Sequence, residues 1–304
     1  IVIPVYNEQA NLPLLFQRLT AVVDQMGRAT EIVFTDDGSK DNSLTLLKGF
    51  VAERPDLIRV VEFDRNYGQH MAVMAGFETA RGTFIVTLDA DLQNPPEEIP
   101  KLIAEMDKGH DVVGSYRRDR QDSLLRTLPS RLVNYVRERI TGIKMRDQGC
   151  MLRGYHRSIV RIIVESGETS TFIPALAQFY AERPTEVEVE HAARHAGASN
   201  YTLYMLLRLN FDLMTGFSLV PLQVFTIVGM AVSGGSLLLV FYMLLRRIFV
   251  GPEAEGIFTL FAILFFLLGV IITGLGIVGE YVGRIYQQVR ARARFRIRTI
   301  HEKN

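Results

Sequence analysis

Five short apolar runs alternate with segments of helical periodicity in the first part of the chain, and this alternation limits the fold more than any other feature of the sequence. Each run is four to six residues long and rich in β-branched side chains, which is typical of a strand buried on both faces of a parallel sheet. The runs occupy residues 1–5, 31–35, 58–63, 84–88 and 112–115. Strands that alternate with helices predict right-handed βαβ units and one mostly parallel sheet in an α/β fold.

Acidic side chains stand directly at the ends of two of these predicted strands. Asp36 and Asp37 end the second strand, and Asp89 and Asp91 follow the fourth. The carboxyl ends of parallel strands meet at one edge of a sheet, where open α/β folds bind their ligands. We therefore expect these carboxylates to line a single crevice.

The segment from Asp89 to Gln93 offers two carboxylates and one amide and contains no His or Cys. Hard oxygen donors of this kind suit Mg²⁺ or Mn²⁺, which keep waters and accept phosphate oxygens as further ligands. A DxD pattern also occurs in ordinary solvated loops, so its context has to support the assignment. None of the five predicted strands leads into GxGxxG or GxxxxGK[ST], which argues against a dinucleotide oxidoreductase and a P-loop NTPase. The pattern predicts a site for a metal ion and a diphosphate.

Two uncharged runs near the carboxyl end, residues 213–245 and 256–279, are long enough to cross a bilayer as helices. They predict a hairpin of two transmembrane helices within residues 218–283. Six arginines follow the second run, whereas only two stand in the short connection between the runs. The positive-inside bias therefore predicts that the preceding domain, residues 1–200, and the basic tail, residues 284–304, lie in the cytoplasm.

Two further segments combine an apolar stripe with charged residues. Residues 124–140 carry leucines and valines at helical spacing with four arginines between them. A helix of this kind lies at an anionic membrane surface, although a helix that docks on a protein core has the same pattern. Residues 201–217 have a similar stripe and predict an interfacial helix that leads into the membrane.

The charge balance and the single cysteine limit the partners and the compartment. Lys and Arg number 34 against 33 Asp and Glu, so no global basic field favours nucleic acid. Cys150 is the only cysteine, which excludes an internal disulfide and fits a reducing, cytosol-facing environment. We expect it to pack as a small apolar side chain. The sequence opens inside the first predicted strand, which suggests that residues precede it, and its start has no signal-peptide pattern.

A metal and diphosphate site on a domain tethered to a membrane predicts transfer of a nucleotide-activated group to a lipid acceptor. A lipid phosphate needs no strong general base, because its second pKa of about 6 leaves it largely dianionic at pH 7. Catalysis then depends on positioning and charge neutralisation, for which the planar guanidinium of arginine is well suited. The candidates are Arg117, Arg118, Arg131 and Arg194, although an arginine at such positions is more often a surface residue.

Short motifs are distributed over the whole chain. PVYNE lies at residues 4–8, DDGS at 36–39 and DAD at 89–91, and the predicted hairpin follows them. This combination resembles the family-2, inverting, GT-A-type polyprenyl-phosphate glycosyltransferases. A second set of motifs is similar to the members of that family that act in lipid A modification: RNYGQH at 65–70, DADLQNPPEEIP at 89–100, RQDS at 120–123, GCMLR at 149–153 and STFIP at 170–174. The resemblance covers essentially the whole chain and implies a GT-A, Rossmann-like fold.

The resemblance also implies roles for single residues. Those expected to bind the nucleotide sugar are Pro4, Tyr6, Glu8, Asp36, Asp37, Asp89, Ala90 and Arg194. Those expected to bind the Mg²⁺ or Mn²⁺ cofactor are Asp89, Asp91 and Gln93. The acceptor phosphate is assigned to Arg117, Arg118 and Arg131, and the catalytic candidates are Asp91, Asp147 and Arg194. For Asp147 a role in orienting the acceptor and a purely structural role both stay open.

The sequence departs from the family pattern at two places. The Ser-Lys-Tyr of relatives is here Ser199-Asn200-Tyr201, which leaves Arg194 as the only expected phosphate clamp in that loop. The Gly-Ser-Arg expected after the fifth strand is interrupted by Tyr116, so either Arg117 or Arg118 could meet the acceptor phosphate.

Taken as a whole, the resemblance implies an inverting, metal-dependent glycosyltransferase of the bacterial inner membrane. It would move 4-deoxy-4-formamido-L-arabinose from UDP to undecaprenyl phosphate on the cytoplasmic face, for lipid A modification and polymyxin resistance. Membrane lipids are expected partners, and relatives imply a homo-oligomer, a tetramer. A glucose or mannose donor on the same lipid stays open, as does a non-catalytic membrane-tethered nucleotide-sugar sensor. A processive polysaccharide synthase is disfavoured, because its QxxRW motif needs a tryptophan and the chain has none.

Overall fold

The computed structural model describes residues 1–117, 138–139, 145–147, 149–166, 172–190, 211, 214–215, 218–251, 257–289 and 294–303. The chain divides into two compact units. The first comprises Ile1–Glu138, Gly142–Thr202 and Ala291–Asn304, and the second comprises Arg139–Thr141 and Leu203–Arg290. The predicted amphipathic helices at 124–140 and 201–217 fall almost entirely outside the described residues.

An eight-stranded sheet forms the centre of the first unit. Its strands are β1 (Val2–Val5), β2 (Ile32–Asp36), β3 (Ile58–Phe63), β4 (Phe84–Thr87), β5 (Val112–Arg117), β6 (Arg153–His156), β7 (Pro184–Val189) and β8 (Ile297–His301). Their order is β7-β5-β6-β4-β1-β2-β3-β8. β1 pairs in parallel with β2 and β4, as do β2 with β3 and β5 with β7. β6 runs antiparallel to β4 and β5, and β8 runs antiparallel to β3. The predicted α/β fold with a mostly parallel sheet is confirmed.

Helices connect the strands in the predicted alternation. They are α1 (Leu12–Met26), α2 (Ser43–Glu53), α3 (Gln69–Thr79), α4 (Ile99–Asp107), α5 (Arg157–Glu165) and α6 (Ile173–Tyr180), with a 3₁₀ turn at Pro96–Glu98 before α4. α1 has a proline in its first turn and ends at Gly27, whose φ of 60° suits glycine. Its apolar stripe packs into a core of strand side chains that includes Ile3 and Phe34, both fully buried.

The helix that follows β3 approaches the sheet unusually closely. A Cβ on Gly76 would lie 2.3 Å from Cγ1 of Val2, so only glycine allows α3 to pack at this distance from β1. The loop before α3 lies at the carboxyl edge of the sheet, because it follows the last residue of β3.

Two strands were absent from the prediction. β6 inserts between β4 and β5, and its register sets Arg153 opposite Thr87. β8 lies in the basic segment 284–304, which was predicted to be a tail. That segment instead contains the end of a helix and a strand that covers the edge of β3. β7 lies at the opposite edge of the sheet, and the alternation of valine with glutamate from Glu186 to Glu190 is a sequence pattern typical of such a strand with one face exposed.

The second unit contains two long helices, α7 (Val220–Phe249) and α8 (Ile257–Val289). Within α8, Ile263–Tyr286 is long and apolar enough to cross a membrane, whereas the apolar part of α7, Val220–Val232, is shorter. The two helices contact each other, since a Cβ on Gly274 of α8 would lie 2.0 Å from the ring of Phe225 of α7. The hydroxyl of Tyr281 also donates to the carbonyl oxygen of Ser218, just before α7, at 2.7 Å. By length and composition, one of the two predicted spans is found among the described residues.

Candidate active site

The loops that follow β1, β2 and β3 are joined by short hydrogen bonds at the carboxyl edge of the sheet. Asp37, at the end of β2, accepts bonds from the backbone N–H groups of Tyr67 at 2.6 Å and Gly68 at 2.8 Å. Gly38 allows this contact, because a Cβ there would lie 2.5 Å from the carbonyl carbon of Arg65. The DDGS motif therefore requires its glycine for packing against the loop after β3.

The adjacent Asp36 is buried to the same extent as Asp37, with 1% and 2% of their surfaces exposed. One carboxylate oxygen of Asp36 accepts from the backbone N–H of Ser39 at 3.2 Å. The other is buried without a hydrogen-bond partner among the residues that the structure describes. Burial raises the pKa of both carboxyls, and for each the neighbouring acids raise it further while the backbone donors oppose the shift.

The PVYNE segment lies against the same loop. Pro4 is in β1, opposite Thr35 of β2, and the exposed Tyr6 follows the strand. The backbone N–H of Glu8 donates to Oγ of Ser43 at 2.9 Å, and its carboxylate accepts from the side chain of Asn11 at 2.7 Å. The structure thus brings five residues to one part of the rim: Pro4, Tyr6, Glu8, Asp36 and Asp37. Their binding of a nucleotide sugar stays a prediction.

The DAD segment continues the rim after β4. Asp89 accepts from the side-chain amide of Gln69 at 2.7 Å, and Ala90 is buried. Leu92 has a φ of 62°, a left-handed conformation that is rare for a bulky side chain. This turn brings the backbone N–H of Gln93 to 3.1 Å from a carboxylate oxygen of Asp91. A bulky residue held in this conformation is a common feature of functional loops.

The donor set in this segment fits a hard divalent cation. The described residues contain no group of three His, Cys, Asp or Glu side chains that could hold a metal ion. The predicted set has two carboxylates and the amide of Gln93, which is too few for a protein-only cage. Mg²⁺ and Mn²⁺ commonly complete such a set with phosphate oxygens and waters, so the oxygen donors fit an ion that binds together with a diphosphate.

β6 brings a further loop to this rim, because it runs antiparallel and begins beside the carboxyl end of β4. Asp147, in that loop, is 3% exposed and pairs with Arg117 at the end of β5. The guanidinium donates from Nε at 2.5 Å and from Nη2 at 3.0 Å to the two carboxylate oxygens. The structure therefore brings these two predicted residues together. Arg118, Arg131 and Arg194 lie outside the described residues.

The side-chain partners within the rim were not predicted. Gln69 bonds to Asp89 across the gap between two loops, and Asn94 contacts Cys150. The glycine after Arg65-Asn66-Tyr67 was a usable signal. Gly68 has a φ of 95°, directly precedes α3 and itself supplies one of the two N–H donors to Asp37.

The α/β sheet with a carboxylate-lined rim at its carboxyl edge has the form of a ligand-binding enzyme domain, and the sequence identifies the family. Residues 1–164 match the family model described as Glycosyl transferase family 2. The chain therefore belongs to glycosyl transferase family 2, and it is a glycosyltransferase. The family resemblance inferred from the motifs is confirmed.

Relatives and solved structures refine this comparison. The chain is 48% identical over 302 residues to a protein of Shewanella sediminis and to one of Aeromonas hydrophila subsp. hydrophila. Both are named undecaprenyl-phosphate 4-deoxy-4-formamido-L-arabinose transferase, and the alignments cover 99% of this chain and 91% and 93% of the relatives. A mannosyltransferase from Pyrobaculum calidifontis, solved with GDP-Man and Mn²⁺, is similar with a TM-score of 0.44 and 14% identity, over 90% of this chain and 86% of that one. At this TM-score the structural similarity does not bear on the substrates of the chain.

Proposed function

We propose that this protein transfers 4-deoxy-4-formamido-L-arabinose from its UDP donor to undecaprenyl phosphate, with inversion at the anomeric carbon. The observation that carries the proposal is the 48% identity, over 99% of the chain, to relatives named for this transfer. The arrangement of the rim supports it, because acidic and arginine side chains stand at the carboxyl edge of one sheet.

The donor binds, in this proposal, along the loops after β1, β2 and β4. Pro4, Tyr6, Glu8, Asp36 and Asp37 contact the base and ribose, and Asp89 and Ala90 contact the nucleoside diphosphate. Hydrogen bonds between the loops support this assignment, because they hold the groups in place before the donor arrives. Arg194 is proposed to reach the diphosphate on the strength of the sequence alone.

Asp89, Asp91 and Gln93 are proposed to hold the divalent cation, Mg²⁺ or Mn²⁺. When bound there, the ion offsets the negative charge of the diphosphate that leaves as UDP. Hydrogen bonds from Gln69 and from the backbone of Gln93 orient the two carboxylates toward fixed positions.

Arg117 is proposed to bind the acceptor phosphate, together with Arg118 or Arg131. The ion pair with Asp147 supports this, since it fixes the planar guanidinium in one orientation. The acceptor phosphate is largely dianionic at pH 7 and is itself the nucleophile, so Asp147 orients the arginine and need not take a proton. These residues act by positioning and charge neutralisation.

The proposed setting is the cytoplasmic face of the bacterial inner membrane. The apolar segment Ile263–Tyr286 supports attachment to a membrane, and the arginines after it support a cytoplasmic catalytic domain. The product would serve lipid A modification and polymyxin resistance, and the enzyme is proposed to act as a tetramer. Light scattering of the detergent-solubilised protein measures that assembly directly.

A donor panel tests the function. The purified protein, undecaprenyl phosphate and Mg²⁺ are incubated with UDP-4-deoxy-4-formamido-L-arabinose, UDP-glucose or GDP-mannose, and the lipids are extracted for mass spectrometry. Product from the first donor alone supports the proposal, and product from a hexose donor replaces it with a hexosyltransferase. UDP binding without transfer from any donor would indicate a sensor.

Asp91→Ala tests the metal assignment. The variant should lose turnover by more than about 100-fold while its thermal unfolding stays unchanged, because only the cation loop is affected. Asp56→Ala, which removes an exposed acid far along the sequence from the rim, is the matched control and should keep full activity. Unchanged turnover in Asp91→Ala contradicts this role.

A further inference from the structure

A group of buried polar side chains connects the DAD loop with the Arg117–Asp147 pair. Its members are Asn94, Ser115, Cys150 and Arg153, which are exposed by 3%, 0%, 2% and 1%. We refer to these four residues as the polar brace. Asn94 directly follows Gln93 of the proposed cation loop, and Ser115 lies two residues before Arg117 in β5.

Cys150 is the central contact of the brace. Its thiol donates to Oδ1 of Asn94 at 3.3 Å and lies 2.9 Å from Oγ of Ser115. The Ser115 hydroxyl donates in turn to the carbonyl oxygen of Leu152 at 2.6 Å. The bonds to Asn94 and Leu152 use the two available protons, so the Sγ–Oγ pair is a close packing contact in this arrangement. Together these contacts join the loop after β4, strand β5 and the segment that leads into β6.

Arg153 fixes the turn from which Asp147 reaches Arg117. Its guanidinium donates to the carbonyl oxygen of Asp147 at 2.6 Å and to that of Cys150 at 2.9 Å. The backbone N–H of Gly149 adds a bond to the Asp147 carboxylate at 3.0 Å. The turn is thus bonded through its backbone, and the carboxylate of Asp147 is left to face Arg117.

A buried polar group of this kind is not needed for stability alone. Apolar side chains of similar volume often stabilise a core as well as buried charged or polar groups do. Buried hydrogen bonds instead favour one geometry, because a displacement leaves buried donors unpaired. Cys150 and Leu152 also belong to the apolar core cluster, so the brace crosses a region that apolar residues could fill.

We infer that the polar brace holds the proposed cation loop and the Arg117–Asp147 pair at a fixed separation, which makes Asn94 and Arg153 positioning residues for transfer to the acceptor phosphate. The roles given to the cation loop and to the Arg117–Asp147 pair rest on the proposed function. The mechanical link between them rests on the contacts alone.

The single cysteine provides a readout of the brace that is independent of activity. Burial raises the pKa of the Cys150 thiol, so an intact brace should react slowly with a small maleimide. Asn94→Ala removes an acceptor from the thiol and should raise the labelling rate by about tenfold, well above the rate in a control variant whose stability is lowered equally. Arg59→Met is the matched control, because Arg59 is also a buried arginine of the sheet but bonds to Glu31, Thr79 and Glu302. It should lower stability without a selective increase in labelling.

Steady-state kinetics test whether the link matters for transfer. Asn94 directly follows the proposed cation loop, which is part of the donor site. Asn94→Ala should nevertheless raise the KM for undecaprenyl phosphate or lower kcat, because the brace also holds the Arg117–Asp147 pair. Cys150→Ser keeps a donor for Asn94 and should retain activity, whereas Cys150→Ala should not. Equal activity of the Ser and Ala variants, or an effect of Asn94→Ala on the donor KM alone, overturns the inference.

A double-mutant cycle of Asn94→Ala and Asp147→Asn measures the coupling. If each change lowers kcat/KM by about tenfold, the double variant should fall by clearly less than about 100-fold, since residues of one network are not additive. Independent, multiplying effects overturn the link. Arg153→Met is combined with Asp147→Asn in a second cycle if the Arg153 variant folds. If that variant does not fold, the cycle with Asn94→Ala alone tests the coupling.

The two proposals fail in different ways. Absence of transfer by the wild-type protein with every donor contradicts the proposed function and leaves the labelling result standing. Transfer by the wild type together with unchanged labelling in Asn94→Ala contradicts the brace alone.

Discussion

At the scale of single residues, Asp36 and Asp37 keep two neighbouring carboxylates at the end of β2 at a cost to stability. Burial is the main cause that raises the pKa of each, and Glu62 and Asp41 add to the effect on Asp36. An acid whose folded-state pKa is raised contributes stability only at low pH. That contribution is fully present below the ordinary pKa of 3.8 and is lost as the pH rises through the raised value.

Asp36→Asn should therefore stabilise the protein at pH 7. One carboxylate oxygen of Asp36 has no partner among the described residues, so removing the charge should add about 1–2 kcal/mol, or a few degrees in melting temperature. The gain should shrink as the pH falls from 7 toward 4, because the wild-type carboxyl then becomes neutral as well. Thermal unfolding in detergent, followed by circular dichroism, measures both effects.

The exposed acid at position 56 gives the control for this prediction. Asp56→Asn should leave the melting temperature within about 1 °C at every pH. Calorimetry with UDP and Mg²⁺ should show weaker binding to Asp36→Asn than to the wild type, as proposed for a donor site. A lower melting temperature of Asp36→Asn at pH 7 would contradict the electrostatic argument.

The acids of the rim could be predicted because strand ends share one edge of a sheet. Asp37, Asp89 and Asp91 each follow an apolar run, and that position is visible in the sequence. Their partners could not be predicted in the same way. The bond from Gln69 to Asp89 joins residues 20 apart and that from Cys150 to Asn94 joins residues 56 apart, and both depend on how the loops pack.

At the scale of elements, strands with an apolar sequence pattern were predicted, and strands that are buried only through their neighbours in the fold were missed. Most residues of β1 to β5 are apolar and buried, which is typical of strands covered on both faces, and this pattern is visible in the sequence. β6 is the polar tetrapeptide RGYH, and its burial comes from β4 and β5 on either side. β8, with the sequence IRTIH, has an arginine and a histidine among its five residues, which fits a basic tail equally well.

β8 is stabilised by side-chain hydrogen bonds as well as by its ladder with β3. Arg59 of β3 bonds to Glu302 at 2.7 Å, and Glu62 pairs with His301 at 2.8 Å. Without β8, the hydrogen-bonding edge of β3 and its buried Val60 and Val61 would become a template for other chains.

A stop codon after Arg296 should therefore lower the melting temperature by roughly 5 °C and cause aggregation, because the partly buried Arg59 loses a partner and β3 becomes an edge strand. A stop codon after Glu302 keeps β8 and both side-chain hydrogen bonds, and this variant should behave as wild type. Thermal unfolding and gel filtration in detergent compare the two. Equal stability of both truncations would mean that β8 contributes little to the sheet.

At the scale of the whole molecule, the path of the chain limits how it can meet a membrane. β7 and β8 belong to one sheet, so the chain between them must begin and end on the same side of any bilayer that it crosses. The number of crossings is then even. If Ile263–Tyr286 of α8 spans the membrane, a second span is required, and the 30 residues of α7 give a helix of about 45 Å, which is long enough.

This argument predicts opposite locations for the connection between the helices and for the carboxyl end. Val250→Cys, at the end of α7, and Lys303→Cys, after β8, are each placed in a Cys150→Ser background and labelled with a membrane-impermeant maleimide. In intact spheroplasts only the cysteine at position 250 should react, and in inside-out vesicles only that at 303, because the arginines after α8 favour the cytoplasm. Permeabilised membranes control for reactivity at both positions. Labelling of both cysteines from the same side would mean that α8 does not cross the membrane, and it would contradict a hairpin. α7 could not then cross alone, because a single crossing would separate β8 from its own sheet.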